Sequence, residues 1–281
     1  MCDIINANQG FTAKDVCPDG DSALERLKSN KYDAITLYMF LPRMNGIEFL
    51  KRLRAEGINV PVIAVSTAVK QDREQTITAL ETGAAEIVLR PFRLMGPDKE
   101  AFASDLSRAL KAAVAGGSRA SSTRVSELGH TKPARTPIAG VTHSAAHSIP
   151  VQSSVKRSGR YGLVAIASST GGPQALHTML PMLPAHIGVP VVVVQHMPMG
   201  FTASLAERID SKAKVRVKEA ENGEVLLPDT VYIAPGGRHL EVLENHGKLT
   251  ARVFDDPPVN NLRPCADVMY KSLKNISVTN I

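Results

Sequence analysis

Residues 162–173 read GLVAIASSTGGP, an apolar run followed by three hydroxyl residues, two glycines and a proline. A short apolar run bounded by turn residues is typical of a buried strand in a parallel sheet. The glycines and the proline predict a tight turn that opens a helix. We therefore expect a strand, a turn and a helix in this order, the unit from which open α/β sheets are built.

The hydroxyl cluster in this turn allows two interpretations. Main-chain N–H groups at a helix start point outward with a positive dipole, which suits a phosphate or the oxyanion of an acyl-transfer intermediate. Ser and Thr are also favoured as helix caps, a role that requires no chemistry. The segment is neither a P-loop, since no lysine follows the glycines, nor the G-x-G-x-x-G dinucleotide pattern.

A second apolar run, Val189–Val194, ends in Gln195 and His196. Successive parallel strands are often neighbours, so His196 is expected near the hydroxyl turn, at the carboxyl edge where open α/β sheets bind ligands. A hydroxyl with an imidazole in reach is the core of nucleophilic acyl transfer. The alternative is a polar histidine in a loop without chemical function.

The remaining signals of this half continue the alternation of strands and helices. Expected strands are Leu163–Ile166, Val189–Val194, Val215–Lys218, Val231–Ile233, His239–Val242 and Leu249–Phe254, and expected helices are Pro173–Leu183, Thr202–Ile209 and about Arg263–Leu273.

The first part of the chain shows the same alternation. Expected strands are Thr12–Cys17, Asp33–Tyr38, Val60–Val65 and Glu86–Leu89, and expected helices are Asp21–Leu27, Gly46–Arg54, Asp72–Glu81 and Lys99–Ala113. The fold class is therefore α/β, with two doubly wound parallel-sheet domains of the Rossmann or flavodoxin-like kind.

Residues 114–160 separate the two parts and are rich in Gly, Ser, Thr, Ala, Pro and Arg without a hydrophobic period. We expect a flexible linker, giving domains at 1–113 and 161–281. The formal net charge of +6 belongs to this segment, which holds seven cations and one acid from residue 115 onward. The basic excess therefore marks a tether, and we expect no nucleic-acid partner.

Composition excludes several other classes. No apolar run approaches the ~20 residues that span a bilayer, and the N-terminus lacks the pattern of a signal peptide. The three cysteines, Cys2, Cys17 and Cys265, are too far apart for a disulfide framework or a zinc spacing. We expect a cytoplasmic protein with no membrane insertion and no metal.

Three blocks follow the strands of the first part: residues 41–46 read LPRMNG, residues 82–84 read TGA, and residues 90–92 read RPF. Their order and spacing resemble the receiver domain of two-component response regulators over residues 11–113. The resemblance implies a flavodoxin-like fold with a phosphoryl-accepting aspartate and a pair of Mg²⁺-binding acids at the carboxyl edge of the sheet.

This chain departs from the receiver pattern at the residues that carry its chemistry. Tyr38 stands at the position of the phosphoacceptor, and a phenol cannot form an acyl phosphate. Arg90 replaces the usual lysine, which keeps the charge and changes the geometry, and only Ser66 fits its role as the hydroxyl that senses the phosphoryl group. The first strand and its acidic pair are expected to be missing, so the neighbouring strands either close up or leave this half marginally folded. We expect a receiver that is not phosphorylated by the usual route.

Four further blocks occur in order after the linker. Residues 166–172 read IASSTGG, 195–202 read QHMPMGFT, 232–239 read YIAPGGRH, and 257–264 read PPVNNLRP. They are similar to the catalytic domain of the chemotaxis response regulator methylesterases, the protein-glutamate methylesterases, over residues 161–274. A receiver, a linker and this domain form the architecture of that family.

The resemblance implies roles for individual residues. Ser169 matches the nucleophile, His196 its general base, and Thr170 and Gly171 belong to the turn whose main chain helps to form the oxyanion site. The implied reaction hydrolyses glutamate methyl esters and deamidates glutamines on the cytoplasmic helices of methyl-accepting chemoreceptors, without a cofactor. A histidine kinase of the chemotaxis system is a further implied partner.

The family's third catalytic residue is an aspartate in a Gly-Met-Gly-x-Asp-Gly turn that this sequence does not contain. We expect a C-terminally truncated domain in which Asp255, Asp256 and Asp267 have surface or capping roles. Loss of the orienting acid costs on the order of 10⁴ in kcat in serine proteases, so we expect little or no esterase activity. In the family the unphosphorylated receiver also covers the active site, a block that Tyr38 would leave without its normal release.

Two functions therefore remain open. One is a methylesterase by descent; the other is a catalytically inactive signalling remnant with a non-phosphorylatable receiver. Release of methanol from a methylated receptor distinguishes them.

Overall fold

A computed structural model describes residues 1–8, 10–67, 70–120 and 162–277 of the chain. We call the described residues up to 120 the first half and those from 162 onward the second half. The segment 121–160 of the expected linker lies outside the described residues.

The first half is a three-stranded parallel sheet with helices on both faces. Its strands, in the spatial order β1-β2-β3, are β1 (Ile35–Tyr38), β2 (Val62–Ser66) and β3 (Glu86–Leu89). Its helices are α1 (Cys2–Asn6), α2 (Gly20–Ser29), α3 (Gly46–Ala55), α4 (Lys70–Thr82) and α5 (Gly96–Ala120).

Local sequence explains where these helices start. Asp19 caps α2 by accepting a hydrogen bond from the Ser22 N–H, and Asn45 caps α3 in the same way through the Glu48 N–H. The β2 strand is buried along its whole length, as expected for the centre of a sheet covered on both faces.

The strand expected over Thr12–Cys17 is wrong, because residues 11–17 form no ladder. A strand exists through its partner's hydrogen bonds, and this segment is instead held by side chains: Asp15 accepts hydrogen bonds from Arg26 and Tyr32. A cavity of about 610 Å³ is lined both by this segment and by β1, so the two have not closed up. Helix α1 was not expected from the sequence.

The second half has a four-stranded parallel sheet in the order β4-β5-β7-β6 and an antiparallel hairpin, β8-β9. The strands are β4 (Val164–Ser168), β5 (Val191–Gln195), β6 (Arg216–Glu219), β7 (Thr230–Ile233), β8 (His239–Asn245) and β9 (Lys248–Phe254). The helices are α6 (Gly172–Met179), α7 (Phe201–Asp210) and α8 (Ala266–Ser272), with 3₁₀ turns after α6 and α8.

The predicted α/β class with parallel sheets is confirmed, and the expected strand and helix positions of the second half are confirmed to within a few residues. One hydrophobic cluster contains buried residues of both halves, including Ile77 and Leu80 of α4 and Leu176 and Leu205 of α6 and α7. A second cluster packs the hairpin and α8 against the other face of β5. No helix in the described part of the chain is long and apolar enough to cross a membrane.

Helix α5 continues to Ala120, past residue 113 where the sequence placed the end of the first domain. The exact domain boundaries remain predictions.

Candidate active site

The candidate site is the turn that follows β4. The strand ends at Ser168, and α6 begins four residues later at Gly172. Gly171, at the N-cap position, has φ 76°, a left-handed conformation that a residue with a Cβ adopts only with strain. The Gly172 N–H donates to the Ser169 carbonyl oxygen at 2.8 Å and closes the turn. Ser169 is exposed at its tip.

The neighbouring strand brings His196 to the same edge. Strands β4 and β5 are parallel, with Ser168 opposite Gln195, so Ser169 and His196 each follow directly after a paired residue. The His196 N–H donates to the Ser168 carbonyl oxygen at 3.1 Å, which extends the ladder past both strand ends. The structure therefore brings the two expected catalytic residues together, although the Ser169 hydroxyl makes no hydrogen bond within the described residues.

Gln195 connects the two strand ends through its side chain. This residue is 1 % exposed, and its Oε1 accepts a hydrogen bond from the Ser168 hydroxyl at 2.6 Å. Its Nε2 donates to the main-chain carbonyl oxygens of Ser169, at 3.1 Å, and His196, at 3.0 Å. Gln195 was not among the residues predicted from the sequence; its one signal there is a polar amide at the end of an otherwise apolar strand.

The His196 ring is held in its neutral form. Burial, together with the positive charge of Arg108 from α5, lowers the pKa of His196 to about 4. The imidazole is therefore neutral near pH 7, the state that a general base requires. Its Nδ1 atom is buried and has no hydrogen-bond partner among the described residues.

The first half directly contacts the turn that holds Ser169. The Gly171 N–H donates to the Ala85 carbonyl oxygen at 2.7 Å, and the Thr170 hydroxyl donates to a carboxylate oxygen of Glu86. The other carboxylate oxygen of Glu86 lies 2.7 Å from the Arg108 guanidinium. Of the main-chain N–H groups expected to serve the oxyanion site, that of Gly171 is thus occupied by the residue before β3, whereas Thr170 is held by β3 only through its side chain.

A second contact lies between α4 and α7. Glu81 forms ion pairs with Arg208 at 2.7 Å and with Lys212 at 2.9 Å. Burial would raise the pKa of Glu81, but the Lys212 hydrogen bond and the surrounding positive charges outweigh it and lower the pKa. His177 Nδ1 lies 3.5 Å from Glu81 without forming a hydrogen bond. Burial lowers the pKa of His177 and favours its neutral ring.

The receiver-type residues of the first half share the carboxyl edge of its sheet. Tyr38 ends β1 with 39 % of its surface exposed, Ser66 ends β2, and Arg90 follows β3. The buried Ser66 hydroxyl lies 2.9 Å from the Thr76 hydroxyl of α4 and also donates to the Thr67 carbonyl oxygen at 3.4 Å. A buried acid near this edge, Asp19, forms an ion pair with Arg43.

The three acids assigned to surface or capping roles are all exposed. Asp255 pairs with Arg238, and Asp267 accepts a hydrogen bond from Asn260. Within the described ranges no group of three or more His, Cys, Asp or Glu side chains could hold a metal ion.

Besides Gln195, the residues that the sequence did not reveal at this site are Glu86 and Arg108. Both come from the first half, and no local pattern connects them with a turn more than 60 residues away in the chain. Only the packing of the halves identifies them.

Comparison with known proteins assigns a family to each half. The profile described as CheB methylesterase matches residues 164–280, and the profile described as response regulator receiver domain matches residues 1–95.

Two curated relatives cover nearly the whole chain. A protein-glutamate methylesterase/protein-glutamine glutaminase of Geobacillus kaustophilus is 41% identical over 258 residues, 92% of this chain and 68% of the relative. The protein of the same name from Desulfotalea psychrophila is 35% identical over 276 residues, 97% of this chain and 74% of the relative.

Among solved structures, the CheB methylesterase catalytic domain of Thermotoga maritima is 45% identical, with a TM-score of 0.40, covering 42% of this chain and 62% of that one. The response regulator domain of Thermotoga maritima CheB is 28% identical, with a TM-score of 0.36, covering 41% of this chain and 84% of that one.

Proposed function

The chain belongs to the protein-glutamate methylesterase/protein-glutamine glutaminase family, and we propose that its second half hydrolyses glutamate methyl esters and deamidates glutamines on chemoreceptors. The observation that carries the proposal is the register of β4 and β5, which sets Ser169 and His196 side by side at one sheet edge.

In the proposed mechanism, the Ser169 hydroxyl attacks the ester carbonyl while His196 takes its proton. The low pKa of His196 keeps the ring free to accept this proton at neutral pH, although it also makes the ring a weak base. The proton passes to the leaving methoxide, and methanol departs. Water then hydrolyses the acyl-enzyme with His196 acting again as base.

In the proposed mechanism, the turn after Ser169 stabilises the negative charge that develops on the substrate oxygen. The N–H groups of Thr170 and Gly171 lie at the start of α6, where the helix dipole favours negative charge. Preorganised donors of this kind typically contribute 10²–10³ in kcat. Because Gly171 N–H is bonded to Ala85, the first half has to move before this donor reaches a substrate oxygen.

The proposed partners are the cytoplasmic helices of methyl-accepting chemoreceptors and a histidine kinase of the same system. They follow from the methylesterase and receiver families of the two halves. A cytoplasmic location is proposed with them, because that is where these receptor helices lie.

The test is release of methanol from a methylated chemoreceptor by the 281-residue chain, compared with Ser169→Ala. Because His196 Nδ1 has no partner among the described residues, we expect a rate about 10⁴ below that of a complete triad, so long incubations are needed. Ser211→Ala, at an exposed serine after α7, is the matched control and keeps the wild-type rate.

The second candidate is a catalytically inactive signalling remnant. It is favoured by the unpartnered Nδ1 of His196 and by Tyr38 at the receiver edge. Equal methanol release by the wild-type chain and by Ser169→Ala, with receptor binding retained, would establish this function in place of the first.

A further inference from the structure

We infer that Gln195 is a positioning residue of this active site, which holds the main chain of the nucleophile turn against the main chain of the base. The inference rests on the proposed function, since it concerns the same reaction. It is based on the hydrogen bonds of the Gln195 side chain, which is almost completely buried.

The orientation of the Gln195 amide follows from its partners. Two of them, the Ser169 and His196 carbonyl oxygens, only accept hydrogen bonds, so the group that faces them must be the NH₂. The reverse orientation would set Oε1 against two carbonyl oxygens. Both N–H donors and one oxygen lone pair are thus used, and an apolar side chain of the same size would leave both carbonyls without this donor.

These bonds determine the direction of two peptide planes. A trans peptide holds its C=O and N–H on opposite sides, so when the Ser169 carbonyl points to Gln195, the Thr170 N–H points away from it. This N–H makes no main-chain hydrogen bond within the described residues and is one of the proposed oxyanion donors. The His196 carbonyl, held by the same amide, fixes the peptide that follows the base.

Gly172 provides an independent indication of the same arrangement. A Cβ at this position would overlap Gln195 Oε1 and lie 2.8 Å from Ser168 Cβ. The φ of Gly172 is not in the left-handed region, so backbone conformation does not require glycine here. The absence of a side chain makes room for the Gln195 amide under the turn.

Three variants of the full chain test the inference. Gln195→Met keeps the size and removes all three hydrogen bonds, Gln195→Glu keeps the shape and removes the NH₂ donors, and Gly172→Ala displaces the amide from the other side. Ser272→Ala is the control, since Ser272 is a buried residue of the same half that also makes two main-chain hydrogen bonds, far from the turn.

The first measurement is the rate at which a fluorophosphonate ester labels Ser169. We expect Gln195→Met and Gly172→Ala to react about 100-fold more slowly than wild type, the effect of a displacement of about 1 Å at a reacting group. At low pH, where its carboxylic acid can donate to one carbonyl, Gln195→Glu should react faster than Gln195→Met at the same pH, and the ratio of the two rates should fall to one as pH rises. The ratio cancels the protonation of His196, which slows both variants alike, and a ratio of one at every pH would contradict the positioning role.

The second measurement is hydrogen exchange at the Gly172 N–H, which donates to the same Ser169 carbonyl. We expect Gln195→Met to speed it about tenfold, the equivalent of one lost hydrogen bond, and Ser272→Ala to leave it unchanged. Labelling of folded Gln195→Met at the wild-type rate overturns the inference, as does an equal loss in Ser272→Ala. If the wild-type chain is not labelled at Ser169, the proposed function fails, and exchange at Gly172 alone decides whether Gln195 holds the turn.

Discussion

The main-chain N–H of Gly171 donates a 2.7 Å hydrogen bond to the carbonyl oxygen of Ala85, across the boundary between the two halves. A substrate carbonyl that becomes an oxyanion would require a donor of this kind. The first half therefore places one of its own carbonyl oxygens on the catalytic turn, while Ser169 itself stays exposed. If this turn forms the oxyanion site, as proposed, the contact blocks one of its donors and leaves the Ser169 hydroxyl accessible.

Replacement of Glu86 by alanine should weaken this block. The variant removes the carboxylate that accepts the Thr170 hydroxyl, and a hydrogen bond to a charged group contributes roughly 1.5–3 kcal/mol. We expect fluorophosphonate labelling of Ser169 to increase about tenfold. Glu100→Ala, at an exposed position on α5, should leave labelling unchanged, and an unchanged rate in Glu86→Ala as well would contradict the blocking role.

Replacement of Glu81 by glutamine should have a smaller effect in the same direction. The side chain links α4 to Arg208 and Lys212, but partly exposed ion pairs contribute only about 0.2–1 kcal/mol. We expect labelling of Ser169 to increase by at most about fivefold, and added salt to reproduce part of the increase in wild type. Glu48→Gln, which removes an ion pair within the first half, serves as the comparison. An increase of equal size in that variant would show that the interface is not involved.

Replacement of Arg108 by glutamine should raise the pKa of His196. Burial is the main cause of its low value, and the positive charge of Arg108 adds to it by opposing protonation. Removal of this charge makes the ring easier to protonate, so the midpoint of its ring-proton NMR titration should move upward from about 4. The control, Lys111→Gln, removes a positive charge one turn further along α5 and leaves Arg108 in place. If its midpoint moves as far as that of Arg108→Gln, the assignment to Arg108 is wrong.

The stability of the chain should fall as pH falls from about 6.5 to about 4. Over this range the His196 ring of the unfolded chain takes up a proton that the folded chain does not, so acid favours unfolding. The lowered pKa of His177 contributes in the same direction. In urea titrations at a series of pH values, His196→Gln should flatten this dependence, whereas His246→Asn in the exposed hairpin turn should not. A wild-type stability that is constant over the window would refute the expectation.

Much of the fold could be predicted because local sequence patterns specify its strands and helix starts. Apolar runs such as Val191–Gln195 form strands wherever both faces are covered, and Asn45 or Gly171 mark helix starts by their own side-chain or backbone chemistry. The expectation over Thr12–Cys17 failed because a strand depends on a partner, and none of the described residues pairs with it.

The candidate site, too, contains residues that local sequence predicts and residues that only the packing of the chain reveals. The meeting of the hydroxyl turn with His196 could be predicted because parallel strands end at a common edge. The choice of Ser169 as the nucleophile came from the resemblance to the methylesterases. The role of Gln195 could not be predicted, because its amide can donate to the Ser169 and His196 carbonyls only after the fold has brought both strand ends together. Glu86 and Arg108 meet the turn only because one half packs on the other.

By itself, then, the amino-acid sequence determined the class of the fold, the family and the position of Ser169 and His196 at one sheet edge, since these depend on motifs and short-range spacing along single strands and turns. Only the tertiary structure decided what surrounds them: the amide that bonds to their main chain, the carbonyl that accepts from Gly171, and the burial that, together with the charge of Arg108, lowers the pKa of His196. Each of these acts through a short contact or through burial, and such contacts between distant parts of the chain form only when the two halves are packed together.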